Sequence, residues 1–356
     1  MATSNRFNSQ IGRRAFLAGA GVGAAALATC SLSRAAFAQS GDLVVSNWGG
    51  SWNDYMFESF EKQAFDGTGV NLVKDLASVS ERKTRMLAER RLPRSSVDLT
   101  WISDSDAFEL NDGGVLEEID YSLIPNSDNI IPELRSPYYV PAIYGGVVVL
   151  YNPNTIKTPP TSFEDLWNPD YKGRVGLYDQ IYFNYIYAAS LAAGGTLSDV
   201  EPAFDKLLEM KEKIQPRIYP SHDALAAGFE NGEIDISANY SARALLWKNK
   251  GLPIEMAYPE EGAIAIAFGV GVANKASNRE AAYEYLNAML SADGMANVAR
   301  KTYYSVATTD AALSEDEKAS LEFTQEQKDK LHFVDYPYAA QNDAAWLDWW
   351  NKEFKG

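Results

Sequence analysis

The stretch Ser162-Phe-Glu-Asp-Leu-Trp-Asn-Pro-Asp-Tyr-Lys-Gly-Arg-Val175 carries a helix signal followed closely by a strand signal. Serine is a favoured helix N-cap, so the residues from Ser162 to Trp167 are predicted to form a helix. The run from Gly173 to Asp179 predicts a strand. A helix that leads directly into a strand is typical of α/β folds.

The same alternation extends on both sides of this stretch. β-rich runs separated by helical patterns predict an α/β protein with a largely parallel sheet. The apolar run at 147–151 could carry the chain into a second lobe, and the run at 263–273 could return it. Strands are predicted at 43–46, 70–73, 97–102, 147–151, 173–179, 233–236 and 263–273. Helices are predicted at 55–65, 81–91, from 103 onward, 162–167, 201–214, 281–290, 295–300 and around 346–350.

Composition excludes several functional classes. The chain has 356 residues, with 48 acidic and 32 basic side chains, one Cys and two His. One Cys excludes an intramolecular disulfide framework and a Cys-based zinc site. The net charge of −16 would repel nucleic acid and an anionic membrane surface, so neither is expected as a partner. A length above 300 residues favours two lobes.

The N-terminal segment has the features of an export signal. Arg13-Arg14 precedes Phe-Leu, as in twin-arginine signals, and a weakly apolar Ala/Gly-rich run follows. Ala36-Phe37-Ala38 matches the small-x-small pattern recognised by signal peptidase, so residues 1–38 are predicted to be removed after Ala38. Lipidation at Cys30 is the second alternative. Removal of four Arg and no acid would change the net charge from −16 to −20.

Several segments resemble one family in the same order along the chain. The 162–175 stretch is similar to a conserved stretch of periplasmic solute-binding proteins of ABC importers, in particular the spermidine/putrescine-binding group. The other matching segments are Asn47-Trp48, Asp98-Leu99 with Ser103, Pro141-Ala-Ile-Tyr-Gly145, Gly232-Glu233-Ile234, Gly251-Leu-Pro-Ile-Glu255, Tyr258-Pro-Glu-Glu-Gly262 and Gln341-Asn342-Asp343.

The resemblance implies a two-lobed periplasmic-binding-protein fold of type II, with the ligand held in a cleft between lobes joined by crossing strands. One lobe is expected from 39–146 plus about 269–312, and the other from 147–268 plus about 313–356. The family closes about its hinge on a small molecule and delivers it to ABC permease subunits in the inner membrane. We therefore expect a monomeric periplasmic protein that is not an enzyme and needs no cofactor or metal.

The resemblance also places ligand contacts. Trp48, Ser103, Asp179 and Gln341 match contact positions of the polyamine group, and Tyr144 stands where the group often has Trp. Aromatic faces attract ammonium groups, and carboxylates pair with them.

The chain departs from the polyamine pattern at four positions. A second family acid falls near Tyr182, a Trp falls on Ala238, and a Trp-x-Asp pair falls on Ala265 and Ala267. We therefore expect different cleft contents, suited to an amino-acid derivative or opine-like zwitterion rather than a linear polyamine. The replacement candidates are Ser51, Trp52, Ser105, Asp106, Tyr182, Asn184, Asn239, Tyr240 and Tyr304.

Other interpretations stay open from the residues alone. Asp104 or Asp106 could cap a helix instead of binding ligand, and the tryptophans near the C-terminus at helical spacing favour packing. A ferric-iron-binding relative could use Tyr303-Tyr304. A secreted carboxylate-dependent hydrolase is the enzyme alternative, although neither Gly-x-Ser-x-Gly nor His-Glu-x-x-His occurs in the sequence.

Overall fold

Strands alternate with helices throughout residues 41–356, the part of the chain that the computed structural model describes. The predicted export signal, its cleavage after Ala38 and the alternative role of Cys30 lie outside the described residues. The strands are β1 (Gly41–Asn47), β2 (Val70–Leu76), β3 (Leu99–Ser103), β4 (Val140–Tyr151), β5 (Val175–Tyr178), β6 (Arg217–Tyr219), β7 (Ile236–Tyr240), β8 (Glu255–Ala257), β9 (Ile264–Val272) and β10 (Ser305–Val306).

Most helices begin at the capping residues that the sequence offers. Ser78, Ser103, Ser221 and Ser291 each accept a hydrogen bond from a backbone N–H of the first turn. The helices are α1 (Gly50–Met56), α2 (Lys62–Phe65), α3 (Val79–Glu89), α4 (Asp104–Asp112), α5 (Tyr182–Ala192), α6 (Glu201–Glu209), α7 (His222–Glu230), α8 (Ser241–Asn249), α9 (Arg279–Met289), α10 (Ala292–Thr302), α11 (Glu315–Leu321), α12 (Gln325–Asp329) and α13 (Tyr336–Trp349).

The 162–175 stretch folds as a short 3₁₀ helix followed by a strand. Ser162 forms a capping box with Asp165, and the turn from Phe163 to Trp167 is 3₁₀ rather than α-helical. Pro169 begins a second 3₁₀ turn directly afterwards, which leaves no room for a longer α-helix. The strand that follows, β5, lies within the predicted range.

The sheet is mixed, which corrects the expectation of a largely parallel one. Its strand order is β2-β1-β3-β9-β4-β7-β5-β6, with β8 and β10 paired to β4. The outer pairs β1–β2, β1–β3, β5–β6 and β5–β7 are parallel. The central pairs β3–β9, β4–β9 and β4–β7 are antiparallel. Two parallel α/β halves are therefore joined through an antiparallel centre.

Two hydrophobic cores flank this centre. The first core draws chiefly on residues 43–143 and 270–313, and the second on 147–266 and 346–354. Strand β4 is buried along its whole length, with Ile143 in the first core and Val147 in the second. Strand β9 passes between the same cores, with Ile264 in the second and Val270 in the first. These two strands are the crossing segments of a two-lobed fold.

Candidate functional site

A cleft of about 1150 Å³ receives side chains from both cores. Its first wall comes from the residues after β1 and β3, and its second wall from the residues after β5 and β7. Both β1–β3 and β5–β7 are parallel pairs, so the loops after each pair emerge on one side of the sheet. The predicted residues that line it are Trp48, Ser51, Trp52, Ser103, Ser105, Asp179, Tyr182 and Tyr240, together with the candidates Asp106, Asn184 and Tyr304.

The turn after β1 gives the first wall its aromatic surface. Gly49 and Gly50 adopt positive φ values of 74° and 56°, a conformation that a side chain would strain. This turn brings Trp48 and Trp52 into an edge-to-face pair with ring centroids 5.0 Å apart. Phe268 from β9 packs edge-to-face on Trp48 at 5.8 Å. The cleft therefore offers aromatic faces for an alkyl chain or an ammonium group.

A buried carboxylate lies beside this aromatic surface. Asp104, the first residue of α4, is only 6% exposed, and its side chain accepts hydrogen bonds from the Ser105 N–H (2.8 Å) and the Ala267 N–H (2.9 Å). The Tyr336 hydroxyl also lies beside this carboxylate and favours its charged form. Burial raises the pKa of Asp104 to about 6, against the lowering effect of these hydrogen bonds. At neutral pH this carboxylate is largely ionised.

Ser103 is the N-cap of α4 and is engaged by that role. Its hydroxyl oxygen accepts from the Asp106 N–H (3.2 Å) and donates to the Asp106 carboxylate (2.6 Å). Asp104 and Asp106, both in the first turn of α4, therefore have different partners. Asp106 completes the cap on one side, and Asp104 is directed towards β9.

The charged groups of the cleft are paired unevenly. Lys83 contacts Asp106 at 2.8 Å and Glu109 at 2.6 Å, and Lys355 contacts Asp179 at 2.9 Å. Among residues 41–356, neither Asp104 nor Asp343 forms an ion pair with a cationic side chain. Asp343 instead accepts a hydrogen bond from the Tyr182 hydroxyl. The cleft therefore presents carboxylates that a bound cation could neutralise.

This geometry agrees with the comparisons with known proteins. Residues 55–325 match the bacterial extracellular solute-binding protein family. The chain belongs to this family. It is 25% identical over 268 residues to the spermidine/putrescine-binding periplasmic protein of Salmonella typhimurium, covering 71% of this chain and 75% of that one. Members of this family are transport proteins that bind small molecules for ABC importers and deliver them to membrane permeases, and they are not an enzyme family.

Solved structures share the two-lobed fold. The substrate-binding protein PotD of a Streptococcus pneumoniae spermidine/putrescine ABC transporter superposes with a TM-score of 0.75 at 21% identity, covering 89% of this chain and all of that one. MotA of Agrobacterium tumefaciens, solved in complex with glucopine, superposes with a TM-score of 0.71 at 19% identity, covering 86% of this chain and 98% of the other. At these identities the similarity establishes the fold of this solute-binding protein and leaves its ligand open.

Asp179 lines the cleft with its charge already compensated. Burial would raise the pKa of Asp179, but hydrogen bonds from Trp350 (2.8 Å) and Lys355 (2.9 and 3.0 Å) outweigh burial and lower it. Both partners come from the last turns of the chain, far away in sequence. An ammonium group would have to compete with Lys355 for this carboxylate.

Three predicted site residues lie outside the cleft lining. Tyr144 packs in a small cluster against Phe323, because alternation along β4 directs its side chain away from the cleft. Asn239 is fully buried in β7, where its amide lies 3.4 Å from His222 Nδ1, so it lies behind the wall. Gln341 is exposed to solvent on α13, whereas Asp343 on the same helix lines the cleft.

The positions that depart from the polyamine pattern have different surroundings. Ala238 is fully buried in the second core, while Ala265 lines the cleft. Ala267, where the resemblance places an acid, donates a hydrogen bond from its backbone N–H to the Asp104 carboxylate. The Asp104 carboxylate from α4 thus lies beside the β9 position at which the resemblance places an acid.

Sequence reasoning missed several residues of the lining. His222 lines the cleft, and its ring is tilted against that of Tyr178 with ring centroids 4.2 Å apart. Burial lowers the pKa of His222 to about 3, so its ring is neutral at pH 7. Asp104 was weighed against a helix-capping role but not placed among the replacement candidates, although its position shortly after the predicted strand at 97–102 was an available signal. Arg243 lies well beyond the predicted strand at 233–236, so no comparable signal marked it. The other missed residues include Lys83, Phe268, Tyr336 and Asp343.

The metal-ligating side chains and the Tyr303-Tyr304 pair bear on the iron-binding alternative. Within the described residues, no group of three or more His, Cys, Asp or Glu side chains is arranged to hold a metal ion. Tyr303, named for the iron alternative, ends α10 in the left-handed conformation with φ of 62°, and only its neighbour Tyr304 lines the cleft. No helix in residues 41–356 combines the length and apolar character needed to cross a membrane.

Proposed function

We propose that this solute-binding protein captures a small polar organic solute that carries an amino group and delivers it to an ABC permease. The observation that supports this proposal is the pairing of aromatic faces with a buried carboxylate that has no cationic partner in the described residues. Trp48 and Phe268 provide the faces, and Asp104 provides the charge. An ammonium ion over an aromatic ring gains about 0.5–2 kcal/mol, and a carboxylate adds a charge-assisted hydrogen bond.

The ligand class is an amine-bearing solute rather than a polyamine specifically. Several curated relatives are named for spermidine and putrescine, whereas structural neighbours include a GABA receptor and proteins solved with agropinic acid and glucopine. An amino-acid derivative or an opine-like zwitterion fits the changed cleft contents, because one of the polyamine-type acids, Asp179, is held by Lys355.

The proposed lobes are 39–146 plus about 269–312 and 147–268 plus about 313–356. The division is supported by the two cores, since β4 and β9 pass from one to the other near Gly146 and Phe268. Hinge closure about these strands would bring Trp48 and Asp104 on one wall towards Tyr182 and Tyr240 on the other. Small-angle scattering with and without ligand tests closure, and an unchanged radius of gyration would contradict it.

The proposed location is the periplasm, reached by twin-arginine export with cleavage after Ala38. The support is the Arg13-Arg14 signal and the periplasmic location of the relatives. N-terminal sequencing of the protein from a periplasmic fraction should begin at Gln39. Export that persists when Arg13 and Arg14 are changed to Lys would contradict the twin-arginine route.

A thermal-shift screen tests the function directly. The exported chain is heated with polyamines, amino acids, opines and sugars, and the hits are titrated by calorimetry. A ligand at a hundredfold excess over Kd stabilises the folded state by about 2.7 kcal/mol, which gives a clear rise in Tm. If no amine-bearing compound shifts the transition but a chromogenic glycoside is hydrolysed, the hydrolase alternative replaces this proposal.

A further inference from the structure

Arg243 is a cationic residue of the cleft lining that lacks a carboxylate partner among the described residues. Arg243 lines the second wall, yet its guanidinium makes no hydrogen bond or ion pair to any side chain or backbone group in residues 41–356. Its Nε is shielded from solvent and still has no acceptor. Lys83 and Lys355, the other cations of the lining, are both paired with carboxylates.

No carboxylate in the described part of the chain forms an ion pair with Arg243. The positive charge of Arg243 acts to lower the pKa values of Tyr178, His222 and Tyr304, which lie near it. His222 is neutral at pH 7 because burial, followed by the charge of Arg243, lowers its pKa to about 3. Tyr178 directs its hydroxyl to Gln180 (2.7 Å). A buried guanidinium nitrogen without an acceptor costs free energy unless a ligand provides one.

The backbone around Arg243 adds to the positive potential. Arg243 is the third residue of α8, and the N-cap of that helix, Tyr240, has no side-chain hydrogen bond to the first turn. The positive end of the helix dipole therefore lies at the same wall as the guanidinium. A planar fork of N–H donors matches a carboxylate, which can accept two parallel hydrogen bonds.

The cleft thus contains both negative and positive side chains that lack a partner of opposite charge. Asp104 and Asp343 have no cationic partner in the described residues, and Arg243 has no anionic one. We propose that Arg243 is the subsite for a ligand carboxylate, so that the solute is an amine that also carries a carboxylate rather than a diamine. This inference rests on the proposed function and narrows its ligand class.

Matched ligands test the inference. The exported protein is titrated with straight-chain diamines and with the amino acids of equal length, from three to eight carbons, together with α-amino acids and an opine. The best amino-carboxylate is expected to bind at least tenfold more tightly than the diamine of its length. In Arg243→Gln its affinity should fall about tenfold or more, while diamine affinity is unchanged or higher, because a repelling charge has been removed.

A control on the same helix separates local chemistry from folding. Lys248→Gln lies at the other end of α8, where Lys248 pairs with Glu255 on the surface, and should leave all affinities unchanged. Unchanged thermal unfolding of ligand-free Arg243→Gln shows that the fold is retained. Recovery of amino-carboxylate binding in Arg243→Lys, to a level between those of wild type and Arg243→Gln, is expected for a charge subsite.

The same titrations distinguish a failure of the carboxylate subsite from a failure of the transport proposal. If wild type prefers diamines, or if Arg243→Gln binds amino-carboxylates as tightly as wild type, the carboxylate subsite is wrong while the transport proposal stands. If neither diamines nor amino-carboxylates bind wild type, both proposals fail.

Discussion

Two acids on opposite walls of the cleft, Asp104 and Asp179, have opposite electrostatic surroundings. Asp179 lies after β5, is partly exposed, and is held by Trp350 and Lys355, which lower its pKa. Asp104 lies after β3, is almost fully buried, and has only neutral donors, so that burial raises its pKa to about 6. The more exposed acid carries a compensated charge, and the buried one carries a charge that a ligand could neutralise. Position after a strand is shared by both and does not predict the difference.

The largest expected effect concerns the pH dependence of stability. The folded-state pKa of Asp104 lies above the value of 3.8 for the unfolded chain, so the folded state binds more protons between pH 4 and pH 6. The stabilising contribution of Asp104 to the free energy of unfolding is fully present below pH 4 and is lost as the pH rises through 6. Relative to Asp104→Asn, wild type should lose roughly 3 kcal/mol over this range.

Urea unfolding at pH 4, 5, 6 and 7, followed by tryptophan fluorescence, measures this difference. Asp179→Asn is the matched control on the other wall. The pKa of Asp179 is lowered in the folded state, so its stabilising contribution is present above pH 4 and is lost only as the pH falls further, which is the opposite sign. Between pH 4 and pH 7, Asp179→Asn should therefore differ from wild type by a nearly constant amount. Parallel pH profiles for wild type and Asp104→Asn would contradict the burial argument.

The next effect is on ligand affinity. Replacing Asp104 by Asn removes the charge but retains the shape, and should weaken binding of the tightest amine from the screen about thirtyfold, or about 2 kcal/mol. Calorimetry at pH 7.5 measures the change. Wild-type affinity should also fall as the pH drops below 6, because the carboxylate becomes protonated. An amine that binds Asp104→Asn as well as wild type would show that the buried acid is structural.

A smaller effect is expected from the aromatic surface beside Asp104. Trp48→Leu retains apolar volume but removes the ring face, so the same amine should bind about fivefold more weakly, or about 1 kcal/mol. Trp349→Leu provides the control, since Trp349 packs on Phe204 and does not line the cleft. Equal losses in the two variants would indicate a general effect on packing instead of a ligand contact.

The smallest effect is expected on the opposite wall. Asp179→Asn should change amine affinity by less than about threefold, because Lys355 already neutralises this carboxylate in the unliganded protein. Lys355→Gln provides a second measurement, since it frees Asp179 and should strengthen amine binding. A loss in Asp179→Asn as large as that in Asp104→Asn would reverse the comparison between the two walls.

Most of the α/β architecture was predictable, because it depends on local patterns. The runs around Leu43, Leu99 and Val175 lie in strands β1, β3 and β5, and Ser103 is the N-cap that the sequence indicates. The antiparallel centre was not predicted. Strand direction depends on where β4 and β9 pair after long intervening segments, and periodicity carries no information on that pairing.

The candidate site was predictable where residues directly follow strands. Trp48, Ser105 and Tyr182 line the cleft as predicted, although their contact with ligand stays a prediction. Gln341 lies outside the lining because helix phase decides which residue of α13 lines the cleft, and Asp343 does so instead. Tyr144 lies outside the lining because strand alternation directs its side chain into a separate cluster.

The amino-acid sequence alone was sufficient for the α/β class, the two-lobed fold and the transport family, since these follow from composition, periodicity and extended matching segments. Which charges remain uncompensated was decided only by tertiary structure. Lys355 reaches Asp179 from 176 residues away, and the Ala267 N–H meets Asp104 across 163 residues. A charge acts over a few ångströms in space, so the electrostatic character of Asp104, Asp179 and Arg243 depends on neighbours that are distant along the chain.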